Sequence, residues 1–79
     1  MLKDILQYIL QNVVDNPQQV IVREISSGSI VILEISVPQA DRGYIIGKQG
    51  RHIDALRILM NGIGSKIPCK VMITMKEDE

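Results

Sequence analysis

The residues of this sequence whose types and spacing could do chemistry lie in one short segment. Gly47 and Gly50 bracket Lys48 and Gln49, and Arg51 follows directly. Glycine at both ends lets the backbone turn sharply and expose its amide groups, because no Cβ atom restricts φ or blocks an approaching chain. A helix that begins at such a loop also directs free N–H groups and the positive end of its dipole toward an anion. The segment therefore predicts a site for phosphate groups.

Two other interpretations of the glycine pair compete with this one. A glycine pair between helices is often only a tight turn with a helix cap. A cap needs one glycine, however, and the basic residues of the chain cluster around this pair. The segment is not a P-loop, since it lacks the Gly-Lys-Ser/Thr ending, and it does not join a strand to a helix as a Rossmann fingerprint does. Phosphate binding remains the favoured interpretation.

The other reactive residue types are too few to form a catalytic or metal site. His52 is the only histidine and Cys69 the only cysteine, and they fall on different predicted elements. A zinc site needs several more ligands, and no disulfide can form within the chain. Arg51 and Asp54 stand three residues apart on a predicted helix, which is the spacing of a surface ion pair. We predict no enzyme activity and no cofactor.

Length and composition predict one soluble domain. The 79 residues are 46% apolar and 23% charged, as in an ordinary globular fold, with the core at residues 2–75 and a short acidic tail at 76–79. Polar residues interrupt the first apolar stretch, so it is neither a signal peptide nor a membrane span. One cysteine favours a reducing compartment. Together these features predict a cytoplasmic location.

The net charge of zero hides an uneven distribution. Residues 1–41 carry two basic and five acidic side chains, whereas residues 42–76 carry seven basic and one acidic. The region around the glycine pair is therefore locally basic, which is typical of a nucleic-acid footprint but equally of ordinary surface charge with a solvated acidic tail. Aromatic residues are only 3% of the chain, which excludes a platform that stacks several bases.

The first half of the chain predicts a helix and a hairpin. Apolar residues recur at spacings of three and four from Leu2 to Val13, typical of an amphipathic helix, and Asn16-Pro17 ends it. Two β-branched runs follow, Val20–Ile25 and Ile30–Val37. The Ser27-Gly28 turn between them predicts an antiparallel hairpin.

The second half predicts two helices and a strand. The first helix runs from Ala40 to Ile46 with Asp41 as a candidate cap, and the second from Arg51 to Ile63. The strand runs from Ile67 to Met75, with Pro68 near its start. The helix pair permits the long crossover that parallel strands need. We predict a two-layer α+β domain with three helices on one face of a three-stranded mixed sheet. The apolar stripe of the second helix comprises Ile53, Leu56, Leu59, Met60 and Ile63.

At residues 45–56 the sequence reads IIGKQGRHIDAL, which resembles the core motif of the KH domain, an Ile-Gly-x-x-Gly loop followed by isoleucine three residues on. The order α-β-β-α-α-β resembles the type II KH arrangement, in which the extra helix and strand precede the core. The resemblance covers Leu2 to Met75, and a single domain of this length resembles the short bacterial RNA-binding proteins of the KhpA type. It implies binding of single-stranded RNA without catalysis.

The resemblance also implies a set of site residues. A loop clamps about four nucleotides by their backbone, two isoleucines line an adjacent aliphatic groove, and two arginines add positive charge beside it. In this sequence the loop is Gly47, Lys48, Gln49 and Gly50. The isoleucines of the groove are Ile46 and Ile53, and the arginines are Arg51 and Arg42.

Partners are implied by the same resemblance. Proteins of this type self-associate, pair with a larger KH-containing protein, act as RNA chaperones and influence cell-envelope growth. Independently, four apolar residues lie off the predicted buried faces, and a contiguous patch of them would form a dimer surface: Ile30, Ile32, Ile58 and Met72. The alternative is a KH-fold dimerisation or protein-interaction module with little RNA affinity, which the zero net charge favours.

Overall fold

The helices and strands follow one another in the predicted order. A computed structural model describes residues 2–76. The predicted acidic tail lies, from residue 77 on, outside this range. Short 3₁₀ turns at Pro17–Gln19 and Lys48–Gly50 join some of the elements, which are α1 (Leu2–Gln11), β1 (Ile21–Ser27), β2 (Ile30–Ser36), α2 (Gln39–Ile46), α3 (Arg51–Gly64) and β3 (Lys70–Met75).

The three strands form a mixed sheet in the order β1-β2-β3. Strands β1 and β2 are antiparallel, with Ile21 opposite Ser36 and Ser27 opposite Ile30. Gly28 takes a φ of 60° in the loop between them, a value that glycine adopts without steric cost. Strand β3 lies parallel to β2, with Val31 opposite Val71. The predicted hairpin and the predicted mixed sheet are both confirmed.

One apolar core lies between the sheet and the helices, which pack on the same face. The alternation along β2 is as predicted, because Leu33 and Ile35 are fully buried whereas Ile30 is 39% exposed. Each large aliphatic side chain in such a core stabilises the fold by about 1.5–3 kcal/mol. The buried helix residues that meet the strands are Leu2, Leu6, Leu10, Ile45, Ile53 and Met60.

Three predicted boundaries or faces are wrong. Helix α1 ends at Gln11 rather than at Asn16, because the N–H groups of Val13 and Val14 both donate to the carbonyl of Leu10 and close the helix there. Strand β3 begins at Lys70 rather than at Ile67. The N–H groups of residues 67 and 69 both donate to the carbonyl of residue 64, so residues 65–68 form a turn. Leu59, predicted to be buried, is 48% exposed.

Asp41 does not cap α2. Pro38 holds the N-cap position, and Asp41 lies inside the first turn with only 1% of its surface exposed. Its Oδ2 accepts hydrogen bonds from the backbone N–H of Asn16 at 3.2 Å and from the Asn16 side-chain amide at 3.1 Å. The carboxylate therefore fastens the connection between α1 and β1 to α2.

Residues 2–76 contain neither a membrane-spanning helix nor a cluster of metal ligands. No helix in this range has the length and hydropathy to cross a bilayer. The same residues contain no group of three or more histidine, cysteine or acidic side chains that could hold a metal ion.

Candidate nucleic-acid interface

The loop from Gly47 to Gly50 has an unusual backbone conformation. Gly47 has φ 74° and ψ 174°, Gln49 has φ 58° and ψ 27°, and Gly50 has φ 74° and ψ 14°. Three of four consecutive residues thus have a positive φ, which side chains disfavour. Only Gln49 among them carries a side chain, and a single polar residue in the left-handed region costs about 1–2 kcal/mol. The chain is held in a tight hook that joins α2 to α3.

Hydrogen bonds inside the hook occupy some of its amides and leave others directed outward. The N–H of Gly47 donates to the carbonyl of Gly43 at 2.8 Å, and the N–H of Gly50 donates to the carbonyl of Gly47 at 3.2 Å. The N–H of Arg51 donates to the carbonyl of Lys48, and Gly50, the residue before α3, has no side chain with which to cap the N–H groups that follow. Those donors, together with the helix dipole, point at whatever lies in front of the loop.

The two glycines are required for different reasons. A Cβ atom on Gly47 would lie 2.5 Å from Cγ of His52, whereas a Cβ atom on Gly50 would meet no heavy atom within 4 Å. The φ and ψ of Gly47 also fall in a region that is essentially restricted to glycine. The left-handed conformation of Gly50 is open to asparagine as well. Gly47 is therefore the more constrained of the two.

His52 holds the hook closed. Its Nδ1 lies 2.8 Å from the backbone carbonyl oxygen of Tyr44, and because a carbonyl can only accept, Nδ1 carries the proton and donates. The imidazole consequently lies against Gly47 and ties the first turn of α3 to the last turn of α2. The sequence analysis had assigned His52 no structural role. Its position two residues after the glycine pair is the one signal that could have suggested it.

The polar side chains of the predicted site lie at or beside the loop. Lys48, Gln49 and Arg51 are exposed, and the guanidinium of Arg51 lies 3.5 Å from Oε1 of Gln49. The spacing of Arg51 and Asp54 predicted an ion pair between them, and this prediction is wrong. Asp54 pairs with Arg57 at 3.3 Å instead, and Arg51 lies beside the loop.

The remaining predicted residues lie farther back. Arg42 is half-buried on α2, and within residues 2–76 no hydrogen bond links it to the loop. Ile46, the last residue of α2, is half-buried. Ile53 is only 7% exposed and belongs to the core. It can form the floor of a groove, whereas the exposed wall must come from other residues.

Two concave surfaces lie beside the helices. The first is a cavity of about 280 Å³ between α1, α2 and α3, lined mainly by aliphatic side chains that include Val13, Ala55 and Leu59. The second is a groove of about 330 Å³ between α3 and β3. The second one lies between a core helix and the neighbouring strand, but the predicted groove residues Ile46 and Ile53 are not among the residues that line it.

The groove between α3 and β3 contains two polar residues that the sequence analysis missed. Asn61 donates from Nδ2 to the carbonyl of Val71 at 2.8 Å and accepts the N–H of Val71 on Oδ1 at 3.0 Å. Arg57 donates from Nη2 to the carbonyl of Ile73 at 3.2 Å. Since β3 is an edge strand, these side chains satisfy backbone groups that would otherwise face solvent. Their spacing of four places them on one helix face, which was the available signal.

The model of a protein family described as the KH domain of KhpA and KhpB matches residues 3–75. The chain belongs to the KhpA/KhpB KH-domain family. The resemblance drawn from the glycine loop and the order of elements is thereby confirmed, and so is the type II KH fold.

Several relatives of this KH domain carry the name RNA-binding protein KhpA. One from Chlamydia caviae is 40% identical over 78 residues, which cover 99% of this chain and 100% of the relative. One from Aquifex aeolicus is 41% identical over 76 residues, 96% of each chain. One from Thermotoga maritima is 37% identical over 62 residues, 78% of this chain and 83% of the relative. No solved structure matches this chain.

Proposed function

We propose that this KH domain binds single-stranded RNA through the loop Gly47–Gly50 and the groove beside it. The observation that carries the proposal is the loop conformation, in which two glycines allow a tight hook at the N-terminus of α3 with Lys48 and Gln49 exposed. Relatives named RNA-binding proteins support the choice of RNA. Their name describes a binding role, and the family accordingly gives this chain no enzyme activity.

The role of each residue in RNA binding follows from the chemistry of the loop. Amide groups at the start of α3 donate to phosphate oxygens, Lys48 adds a point charge, and Arg51 adds a planar set of donors. These contacts position a nucleic-acid backbone without reading its sequence. Arg42 contributes charge at the rim, and Ile46 with Ile53 forms the apolar floor. The loop holds about four nucleotides. Their bases lie toward the groove between α3 and β3.

The test compares the wild type with the double variant Lys48→Asp/Gln49→Asp in titrations with short single-stranded RNA at several salt concentrations. Aspartate tolerates the left-handed conformation at position 49 better than most residues, so the variant keeps its fold while placing two carboxylates where phosphates lie. With two or three phosphates bound, log affinity of the wild type falls with log salt at a slope of about −1.5 to −2. We expect the double variant to lose binding.

The matched control is Gln18→Asp/Lys66→Asp, which makes the same two replacements at exposed positions. Lys66 follows the end of α3 opposite the loop, about 20 Å away along the helix. We expect this control to bind within a few-fold of the wild type. Equal loss in both variants would mean that overall charge, rather than the loop, governs affinity. No binding by the wild type would leave the alternative, a KH-fold protein-interaction module with little RNA affinity.

Self-association is part of the proposed function. Val13 and Leu59 at the rim of the cavity between α1, α2 and α3 are 45% and 48% exposed, and the apolar lining of that cavity supports a contact with a second copy. We expect sedimentation velocity at micromolar concentration to give a homodimer, and Leu59→Lys to give a monomer. Ile25→Lys is a matched change on the outer sheet face, where Ile25 lies opposite Ile32 of the dimer surface predicted from the sequence, and it tests that other surface. A monomeric wild type, or dissociation by Ile25→Lys alone, would contradict this surface.

The wider roles implied by kinship with the family remain predictions. They are pairing with a larger KH-containing protein, RNA chaperone activity in the cytoplasm and an influence on cell-envelope growth. A strand-annealing assay with the loop double variant tests the chaperone role, since annealing that persists in that variant would not depend on the loop.

A further inference from the structure

The end of β3 and the glycine loop lie at the same end of the molecule. Asn61 bonds both backbone groups of Val71, and Arg57 bonds the carbonyl of Ile73. Four residues back along α3, about 6 Å, therefore match two residues forward along β3, about 7 Å. Another such step reaches the first turn of α3 and the last residue of β3. The loop that precedes α3 is consequently level with the end of β3.

The basic side chains of the loop have no carboxylate partner among residues 2–76. Lys48 and Arg51 are exposed, and neither forms an ion pair within that range. Asp54 is the only acidic residue between positions 42 and 76, and it is already paired with Arg57. Two positive charges beside the first N–H groups of α3 are therefore not neutralised by this part of the chain.

An acidic segment follows the end of β3 in the sequence. It consists of Glu77, Asp78 and Glu79. Carboxylates and phosphates are both anionic acceptors and form the same charge-assisted hydrogen bonds with lysine and arginine. Both are also stabilised at the N-terminus of a helix.

The distance from β3 to the helix layer is within the reach of this segment. One arginine side chain, that of Arg57, already bridges α3 and β3. Three residues of extended chain can span about 10 Å, which is longer than one arginine side chain. A segment attached at the end of β3 can therefore place its carboxylates against the loop.

We propose that the acidic segment binds Lys48 and Arg51 when RNA is absent and competes with RNA phosphates for this surface. Single exposed ion pairs are weak, but attachment to β3 gives the carboxylates an effective concentration of about the millimolar order. The segment lowers the affinity for every strand alike, because it contacts no base. This inference rests on the proposed RNA binding and adds a regulation of that site.

The first experiment measures affinity for short single-stranded RNA. One variant neutralises the acidic segment and keeps its length: Glu77→Gln/Asp78→Asn/Glu79→Gln. A charge-matched control removes three negative charges from α1, β1 and β2 and keeps their acceptor oxygens: Asp4→Asn/Glu24→Gln/Glu34→Gln. At about 0.1 M salt, where exposed charges act over about 10 Å, we expect the neutral-segment variant to bind about 3- to 10-fold more tightly than the wild type, as for two or three exposed ion pairs. The control should bind within about 2-fold of the wild type.

Salt provides a second comparison between the same proteins. The gain in affinity should vanish toward about 1 M salt, where screening shortens the range of a charge to about 3 Å. The wild type should accordingly show the shallower dependence on salt, because salt also releases its acidic segment. Equal affinities of the wild type and the neutral-segment variant at 0.1 M salt would overturn the inference. An equal gain in the charge-matched control would also overturn it, since net charge would then act without a contact.

The second experiment tests the contact without RNA. Backbone amide chemical shifts of the wild type and the neutral-segment variant are compared, and the same spectra verify the fold of each. We expect differences at residues 47–52 that disappear at about 1 M salt. Differences confined to residues 75 and 76, the neighbours of the segment in the sequence, would overturn the inference. Failure of all three proteins to bind RNA would overturn the proposed function, whereas the chemical shifts would still decide whether the segment contacts the loop.

Discussion

His52 lies so close to Gly47 that no side chain fits between them. The ring is fixed by its hydrogen bond to the carbonyl of Tyr44 at 2.8 Å, and its Cγ would be 2.5 Å from a Cβ atom on residue 47. The ring has little freedom to move aside, because movement would break that bond. The contact explains why the first glycine of the loop is fixed by packing as well as by backbone conformation.

The two glycines should therefore respond differently to asparagine. Gly50→Asn is expected to cost less than about 1 kcal/mol, since asparagine adopts the left-handed conformation and nothing lies within 4 Å. Gly47→Asn should cost more than about 3 kcal/mol, because backbone strain and the clash with His52 act together. Urea unfolding of both variants measures the difference. Equal losses of stability in the two variants would mean that the side chain of His52 moves aside without a cost in free energy.

Asn61 should contribute more to stability than its exposure suggests. Asn61→Ala leaves the N–H and carbonyl of Val71 unpaired in a partly buried place, which costs about 1–3 kcal/mol. The matched control is Asn12→Ala. Both asparagines donate to the carbonyl four residues earlier, but only Asn61 also bonds a strand. Equal free energies of unfolding for the two variants would show that the strand contact adds nothing.

Much of the fold could be predicted from local patterns. The alternation along β2 marked its buried face, and the glycine pair with its flanking residues marked the hook between α2 and α3. Both features depend on residues that are close in sequence. The boundaries of the helices and strands were harder to predict. The turn at residues 65–68 arises from two N–H groups that share the carbonyl of Gly64, and no pattern of residue types distinguishes it from the start of a strand.

Only those residues of the candidate site that are close together in the sequence could be predicted. Lys48, Gln49 and Arg51 follow from the loop motif itself. Arg57 meets a carbonyl 16 residues away and Asn61 meets one 10 residues away, so their roles depend on how α3 crosses β3. The sequence places them on one helix face without showing what that face meets. The same limit hid the contact between Asp41 and Asn16, which are 25 residues apart.

That contact predicts a coupled effect at Asp41 and Asn16. Asp41→Ala removes the acceptor for two Asn16 donors and is expected to cost about 2–3 kcal/mol. Asp41→Asn keeps an acceptor oxygen for Asn16 but places an amide NH2 where Oδ1 is buried without a partner, so it should recover only part of the loss caused by Asp41→Ala. A double-mutant cycle of Asp41→Ala with Asn16→Ala should give a coupling of about 1 kcal/mol or more. Strictly additive losses would show that the two residues act independently.

Alkaline pH provides a final test, at Tyr44. Its phenol O–H donates to Oδ2 of Asp15 at 3.1 Å, and this hydrogen bond, followed by the negative charge of Asp15, raises the pKa of Tyr44 above its ordinary value of 10.0. Only the protonated phenol can donate. The bond therefore contributes in full below pH 10.0 and is lost as the pH rises through the higher pKa of the folded state.

The wild type should consequently lose more stability above pH 10.0 than Tyr44→Phe, which has no phenol to ionise. Urea unfolding midpoints at neutral and alkaline pH measure this, and the difference between the two proteins cancels every effect of pH that they share. Tyr8→Phe is the control and should follow the wild type. The size of the effect is small, because Tyr44 is 45% exposed and water screens its contact with Asp15. If Tyr44→Phe loses as much stability at alkaline pH as the wild type does, ionisation of Tyr44 is not the cause of that loss.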